Sequence, residues 1–218
     1  MAADLLATWR ELGRLLVKWT ALSTAAGGVL YSLAVTISEL AGDSPAALVW
    51  LGFPLAGGMV GVLAGKGQSQ LLKPFVPLPE AWVLATAAGW ALGVPALVVC
   101  TGLLSAATKT WIGLYRLMAF LIAAGGVGAF SGLWQWLLLR ARIDRSLWWL
   151  LANGVGWLLA WLGVLASWWV IGQGDALPVT STDFAAVFVL GALAGWMLGV
   201  EQGIALVGLI AQRAWEGR

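Results

Sequence analysis

Residues 113–139 read GLYRLMAFLIAAGGVGAFSGLWQWLLL and carry one charged side chain, Arg116. A helix gains about 1.5 Å per residue, so a run of this length outreaches a hydrocarbon layer about 30 Å thick. In lipid every backbone N–H and C=O must find its partner within the protein, which an α-helix achieves by itself. The rest of the chain is of the same kind. Of its 218 residues 61% are hydrophobic and only 10% charged, against about 25% charged in a typical soluble domain. The mean hydropathy is +0.90. The expected fold class is an all-α integral membrane protein. Six transmembrane helices are read at 19–39, 46–72, 82–103, 113–139, 148–171 and 184–211.

The connections are short and contain chain breakers: AGDSP after the first span, KPFVPLPE after the second, RARIDRS after the fourth and GQGDALPVTSTD after the fifth. None can hold a soluble domain, so function belongs to the spans, the short loops or a partner. Residues 1–18 place Leu5, Trp9, Leu12 and Leu16 at helical spacing, with Asp4, Arg10, Glu11 and Arg14 largely between them. That is the pattern of an amphipathic helix lying in the membrane interface. A cleavable signal peptide would carry a shorter charged region ahead of its apolar core.

Lysine and arginine set the orientation. One side collects Arg10, Arg14, Lys18, Lys66, Lys73, Arg140, Arg142, Arg145, Arg213 and Arg218, while the other has only Lys109 and Arg116 with the acids Glu39, Asp43, Asp175 and Asp183. The positive-inside rule places both termini in the cytoplasm, here of a bacterial cytoplasmic or thylakoid-type membrane. Trp9, Trp19, Trp82, Trp148, Trp149 and Trp215 read as cytoplasmic-side interfacial anchors, and Trp50, Trp111, Trp168 and Trp169 as outer ones. Trp90, Trp157, Trp161 and Trp196 lie deeper.

A second pattern is superimposed on the first. Gly61, Gly128 and Gly195 are spaced by 67, as are Gly65, Gly132 and Gly199, and as are Gln68, Gln135 and Gln202, in a chain with six glutamines. Each even-numbered span thus carries G-x-x-x-G-x-x-Q. Leu84, Ala85, Thr86, Gly89 and Trp90 match Leu151, Ala152, Asn153, Gly156 and Trp157 at the same period, and LSTAAGG in the first span matches LATAAGW at a shift of 62, pairing Thr24 with Thr86 and Gly27 with Gly89. Fixed-period self-similarity signals a repeat architecture. The expected units are an interfacial helix over 1–18 and three two-helix hairpins over 19–72, 82–139 and 148–211. Each hairpin leaves and re-enters on the same side, so the copies are related by a pseudo-threefold axis along the membrane normal.

Positions i, i+4 and i+7 share one helix face. Two glycines there let another helix approach closely, and a glutamine one turn on can hydrogen-bond across the contact. Thr24, Thr86 and Asn153 are the candidate partner surface. The pattern serves either as packing at a repeated interface or as a ring of three amides lining a path along the axis. Glu201, next to Gln202, is a candidate ligand-binding or polar site with Asn153, Trp90 and Trp157. It could equally pair with a basic residue near the same interface.

The missing groups narrow the function. There is no histidine, which removes histidine-ligated haem and zinc and Ser-His or Cys-His catalysis. Cys100 is the one cysteine and cannot form an intrachain disulfide. No carboxylates face each other within the spans, no acidic cluster could hold magnesium and a diphosphate, and no phosphate-cradling loop appears. No catalytic residue and no metal ligand are assigned. A net charge of +2 is too small to argue for nucleic acid.

GLWQWLLLR at 132–140, followed by WWLLANGVGW at 148–157, resembles a group of largely uncharacterised multi-span bacterial proteins. They repeat a G-x-x-Q-W-x-x-L-[RK] helix followed by a tryptophan-rich helix with a G-W pair, and they are frequent in phototrophs. The resemblance covers residues 128–161. GKGQSQLLK in the first copy lacks the tryptophan after its glutamine, and GVEQGIALV in the third lacks both that tryptophan and the basic residue. It implies repeat architecture and a place in a photosynthetic membrane, and it transfers no activity.

These readings lead to a non-catalytic accessory or assembly subunit of a larger membrane complex. Its contacts would be membrane lipids, other integral membrane subunits, and carotenoid or chlorophyll-type pigment, with the identity of any cofactor left open. The rival is a small channel or transporter with a glutamine-lined path on the pseudo-threefold axis. The orientation predicts that cysteines placed at Ser44 and Thr180 are labelled by an impermeant maleimide from outside, and one at Ser146 only from the cytoplasm. Labelling of position 146 from outside reverses the topology.

Overall fold

The computed structural model describes residues 2–41, 52–76, 80–107, 113–171 and 184–216. The loop positions Asp43, Ser44, Trp50, Lys109, Trp111, Asp175, Thr180 and Asp183 lie outside them. The described chain is all helical: α1 (Ala2–Ala41), α2 (Phe53–Leu72), α3 (Ala81–Ala107), α4 (Gly113–Leu139), α5 (Leu147–Ile171) and α6 (Phe184–Glu216). Three of these hold a stretch long and apolar enough to cross a membrane, Trp9–Ile37, Leu121–Leu139 and Ala185–Gln212. Ala81–Gly93 and Leu147–Gly163 are shorter apolar stretches. The chain therefore has the marks of a helical membrane protein.

Local sequence sets the helix ends. Pro54 stands in the first turn of α2, where an N–H has no helical partner to lose. Pro74 follows Lys73, which keeps helical backbone at φ −48° and ψ −39°, and it has no N–H with which to continue the ladder. Leu72 O then accepts from Phe75 N at 2.9 Å and from Val76 N at 2.8 Å. The α4–α5 turn repeats this arrangement: Leu139 O accepts from Arg142 N at 2.8 Å and from Ile143 N at 2.9 Å. Arg145 completes that turn in the left-handed region, φ 57°. The two turns tuck Val76 and Ile143 into the protein. Ser146 is also buried there, so exposed Asp144 beside it is the better cysteine reporter of that side.

Residue 18 is not a helix boundary. The segment expected to lie in the interface continues unbroken through Trp19 as one helix, α1. Its buried stripe is Leu12, Leu15 and Trp19, packed with Leu206, Leu209 and Ile210 of α6. Leu12 and Leu15 of this segment thus meet protein, while Trp9, one turn before Leu12, is exposed.

Each helix approaches its two neighbours in the chain, and α6 closes on α1, so the six form a ring. Three of the seams carry the glycine motif: α2 with α3, α4 with α5, and α6 with α1. A Cβ on Gly61 would stand 2.7 Å from Ala87 Cα, and one on Gly132 would stand 2.7 Å from Asn153 Cβ and Cγ. A Cβ on Gly195 would collide with Ser23 O. The close seams therefore join the end of one expected hairpin to the start of the next, and the last hairpin to the first.

Gly126 and Gly132 lie on the same helix and give a controlled comparison. Nothing stands within 4 Å of a Cβ at Gly126. Gly126→Ala should be neutral or stabilising by up to ~1 kcal/mol through helix propensity. Gly132→Ala should destabilise by about 1–3 kcal/mol, the usual cost of overpacking. Equal unfolding midpoints for the two variants in detergent would rule out close packing at Gly132.

Candidate functional site

The three glutamines lie at contacts between neighbouring helices. Gln68, Gln135 and Gln202 are all buried, with Thr86 and Asn153. Gln68 Oε1 on α2 accepts from Trp82 Nε1 on α3 at 3.2 Å, and Gln135 Oε1 on α4 accepts from Trp149 Nε1 on α5 at 3.1 Å. Their amide sides look back along the ring. Gln135 Nε2 donates to Thr86 Oγ1 on α3 at 2.9 Å, and Gln202 Nε2 on α6 donates to Asn153 Oδ1 on α5 at 2.8 Å.

The partners are themselves anchored. Thr86 Oγ1 donates to Trp82 O at 2.9 Å, and Asn153 Nδ2 donates to Trp149 O at 2.9 Å. The Thr86 hydroxyl has one proton, so its 3.4 Å approach to Gln68 Oε1 is secondary. The 3.5 Å approach of Gln135 Nε2 to Gln68 Oε1 is too long to carry much. Gln135 thus binds two helices, reaching forward to Trp149 and back to Thr86.

Beneath this lattice lie three tryptophans. Trp19, Trp82 and Trp149 are fully buried. The Trp19 and Trp149 rings meet edge-on with centroids 5.8 Å apart, and Trp82 and Trp149 lie 6.0 Å apart at 50°. Leu72, Leu139 and Leu206, spaced by 67 in sequence, are buried in the same cluster, as are Val76, Ile143 and Ile210. Their assignment as interfacial anchors is corrected: these three tryptophans are core. Neighbouring Trp148, 61% exposed, remains at the surface. The missed signal was the spacing itself, because Trp82 and Trp149 are also 67 apart and each follows its glutamine by 14 residues.

The first span enters in a different register from the one its sequence match gives. Gly65 would crowd Thr86, Gly132 would crowd Asn153, and Gly199 would crowd Ser23. Ser23, at a shift of 63 from Thr86, takes the position assigned to Thr24. Thr24 Oγ1 donates within its own helix to Thr20 O at 2.8 Å. The lattice is also incomplete at α1, since Trp19 Nε1 is buried with no hydrogen-bond partner.

The other candidates separate. Trp157 is buried against Ala160 and Leu198, and Trp90 packs on Ala26, Val60 and Ala64. Trp196 is half exposed. Glu201 is not in the lattice. It lines a groove between α5 and α6, and its Oε2 is buried without a hydrogen-bond partner. The alternative pairing of Glu201 with a basic residue is not found among the described residues. No group of three or more acidic or cysteine side chains that could hold a metal occurs among them either. No family model, curated protein or solved structure matches the chain.

The lattice predicts a measurable coupling between Gln135 and Thr86. Interhelical polar pairs in membranes average ~0.6 kcal/mol and reach about 1.7 kcal/mol. A double-mutant cycle of Gln135→Leu with Thr86→Val should give a coupling in that range, read from unfolding in mixed micelles. Strict additivity would mean that the two side chains do not interact.

Proposed function

We propose that this chain is a six-span bundle of three tandem two-helix hairpins around a pseudo-threefold axis. In this reading it serves as a non-catalytic accessory or assembly subunit of a larger membrane complex. The recurrence of the lattice supports the architecture: glutamine to tryptophan at 14 residues on two occasions, and glutamine to threonine or asparagine at 49 on two.

The observation that carries the functional reading is the use of the interior polar groups. The glutamine amides are committed to neighbouring helices, and three indoles with three leucines fill one end of the ring. At this end the described residues on the axis are indoles and aliphatic side chains packed on one another, which supports an accessory role over a conduction path. The outer surface, by contrast, exposes large apolar side chains such as Leu63, Leu84, Ile122 and Val189. Such surfaces suit lipid tails, flat hydrophobic ligands and the helices of other subunits. The phototroph resemblance points to a photosynthetic membrane as the setting.

The test is reconstitution of the purified chain into liposomes, with native pull-down from mild detergent in parallel. The expected result is no intrinsic ion or solute flux and co-purification of other integral membrane subunits. Robust flux from the isolated chain would overturn the accessory reading in favour of a channel.

A further inference from the structure

We propose that the groove between α5 and α6 binds a slender amphiphile bearing a hydroxyl group, with the Glu201 carboxyl as the hydrogen-bond acceptor. The groove encloses about 280 Å³ and is lined by Trp148, Leu151, Ala152, Val155, Ala205 and Gly208, among others, with Glu201. Its position in the lipid rests on the membrane-spanning reading above. It does not depend on the chain belonging to a larger complex.

Three features select the ligand. The first is an acceptor left without a donor. Glu201 makes no hydrogen bond or ion pair among the described residues; it lines the groove, and its Oε2 is packed beside Gly156, so a turn of the carboxyl brings that oxygen to the groove. A polar group without a partner in hydrocarbon is costly, and an intramembrane acid marks a functional site by default. The corresponding positions 67 and 134 are glycine and tryptophan, so the acid is particular to this face of the ring.

The second feature is width. Ala152, Ala205 and Gly208 are small and offer a low, narrow surface that a single chain can fill. The third is depth. Exposed Trp148 begins α5 at the interface, and Val155, which lines the groove with Glu201, stands seven residues further on, about 10 Å along the helix. Phospholipid donors remain at headgroup level, above the carboxyl. An ammonium brought to that depth would pay far more desolvation than a neutral hydroxyl, and a hydroxyl can donate to either protonation form of the acid. A quinol or a hydroxylated carotenoid would supply this shared chemistry.

The experiment uses the full chain in phosphatidylcholine nanodiscs and dicyclohexylcarbodiimide, which modifies carboxyls from the lipid phase. Modification of Glu201 is followed by mass spectrometry, with Glu201→Gln as the unreactive control. Geranylgeraniol should give the same protection at about fivefold lower concentration than its methyl ether, which lacks the donor, the factor one net hydrogen bond carries. Equal protection by both compounds, or no modification of Glu201 from the lipid, overturns the proposal. Organic extracts of protein purified from its native membrane separate the two sources, and an extract holding neither also overturns it. The pull-down above is unaffected by any of these results, so failure of the groove and failure of the accessory reading are told apart.

Discussion

An amide buried in hydrocarbon must be paired, and this requirement organises the bundle. Each glutamine has an oxygen to satisfy and two protons to place. No single neighbouring helix meets both demands. Gln135 solves the problem by standing between α3 and α5, accepting from Trp149 and donating to Thr86. The net strength of such a bond is small, because the alternative arrangements in the membrane also find partners. Its value is in register. Sliding α4 by one residue would break both bonds together, whereas a leucine face would tolerate the shift with little change in packing.

The glycines make that register reachable. Amide side chains are short, and two helices held apart by leucines would leave Gln135 and its partners out of range. Removing side chains at Gly128 and Gly132 brings the α4 backbone against Asn153 and Trp157. Close packing and polar pairing are therefore a single device. The glycines set the distance, the amide sets the offset, and the tryptophans fill the space beneath.

The fold class and the polar lattice were legible in the sequence because both rest on expensive choices. A long uncharged run has few folds open to it, and a glutamine repeated on one helix face at membrane depth must have partners. Cheaper choices were misread. Trp148 and Trp149 look alike as interfacial residues, yet one faces outward and the other is core; composition near a span end cannot separate them. The register of the first span slipped by one residue for a related reason. Serine, threonine, alanine and glycine substitute freely at a close contact, so matching LSTAAGG to LATAAGW favours identity over geometry, and Trp19 holds the true alignment. The groove beside Glu201 needed both helices in place, because Gly156 and Glu201 lie 45 positions apart and neither is unusual alone.

The closure of the ring between α6 and α1 has a consequence for how the protein is made. Chains emerge from the ribosome N-terminus first, at about 5–20 residues per second. The Ser23–Gly27 face of α1 is thus inserted long before the Gly195–Gly199 face that will cover it. Every other seam forms between consecutive helices and can zip as they arrive. The α1 face must wait for α6, and the nascent bundle stays an open arc until α6 has been made. During that interval the small-residue face of α1 is uncovered, and a chain that stopped before α6 would leave it so.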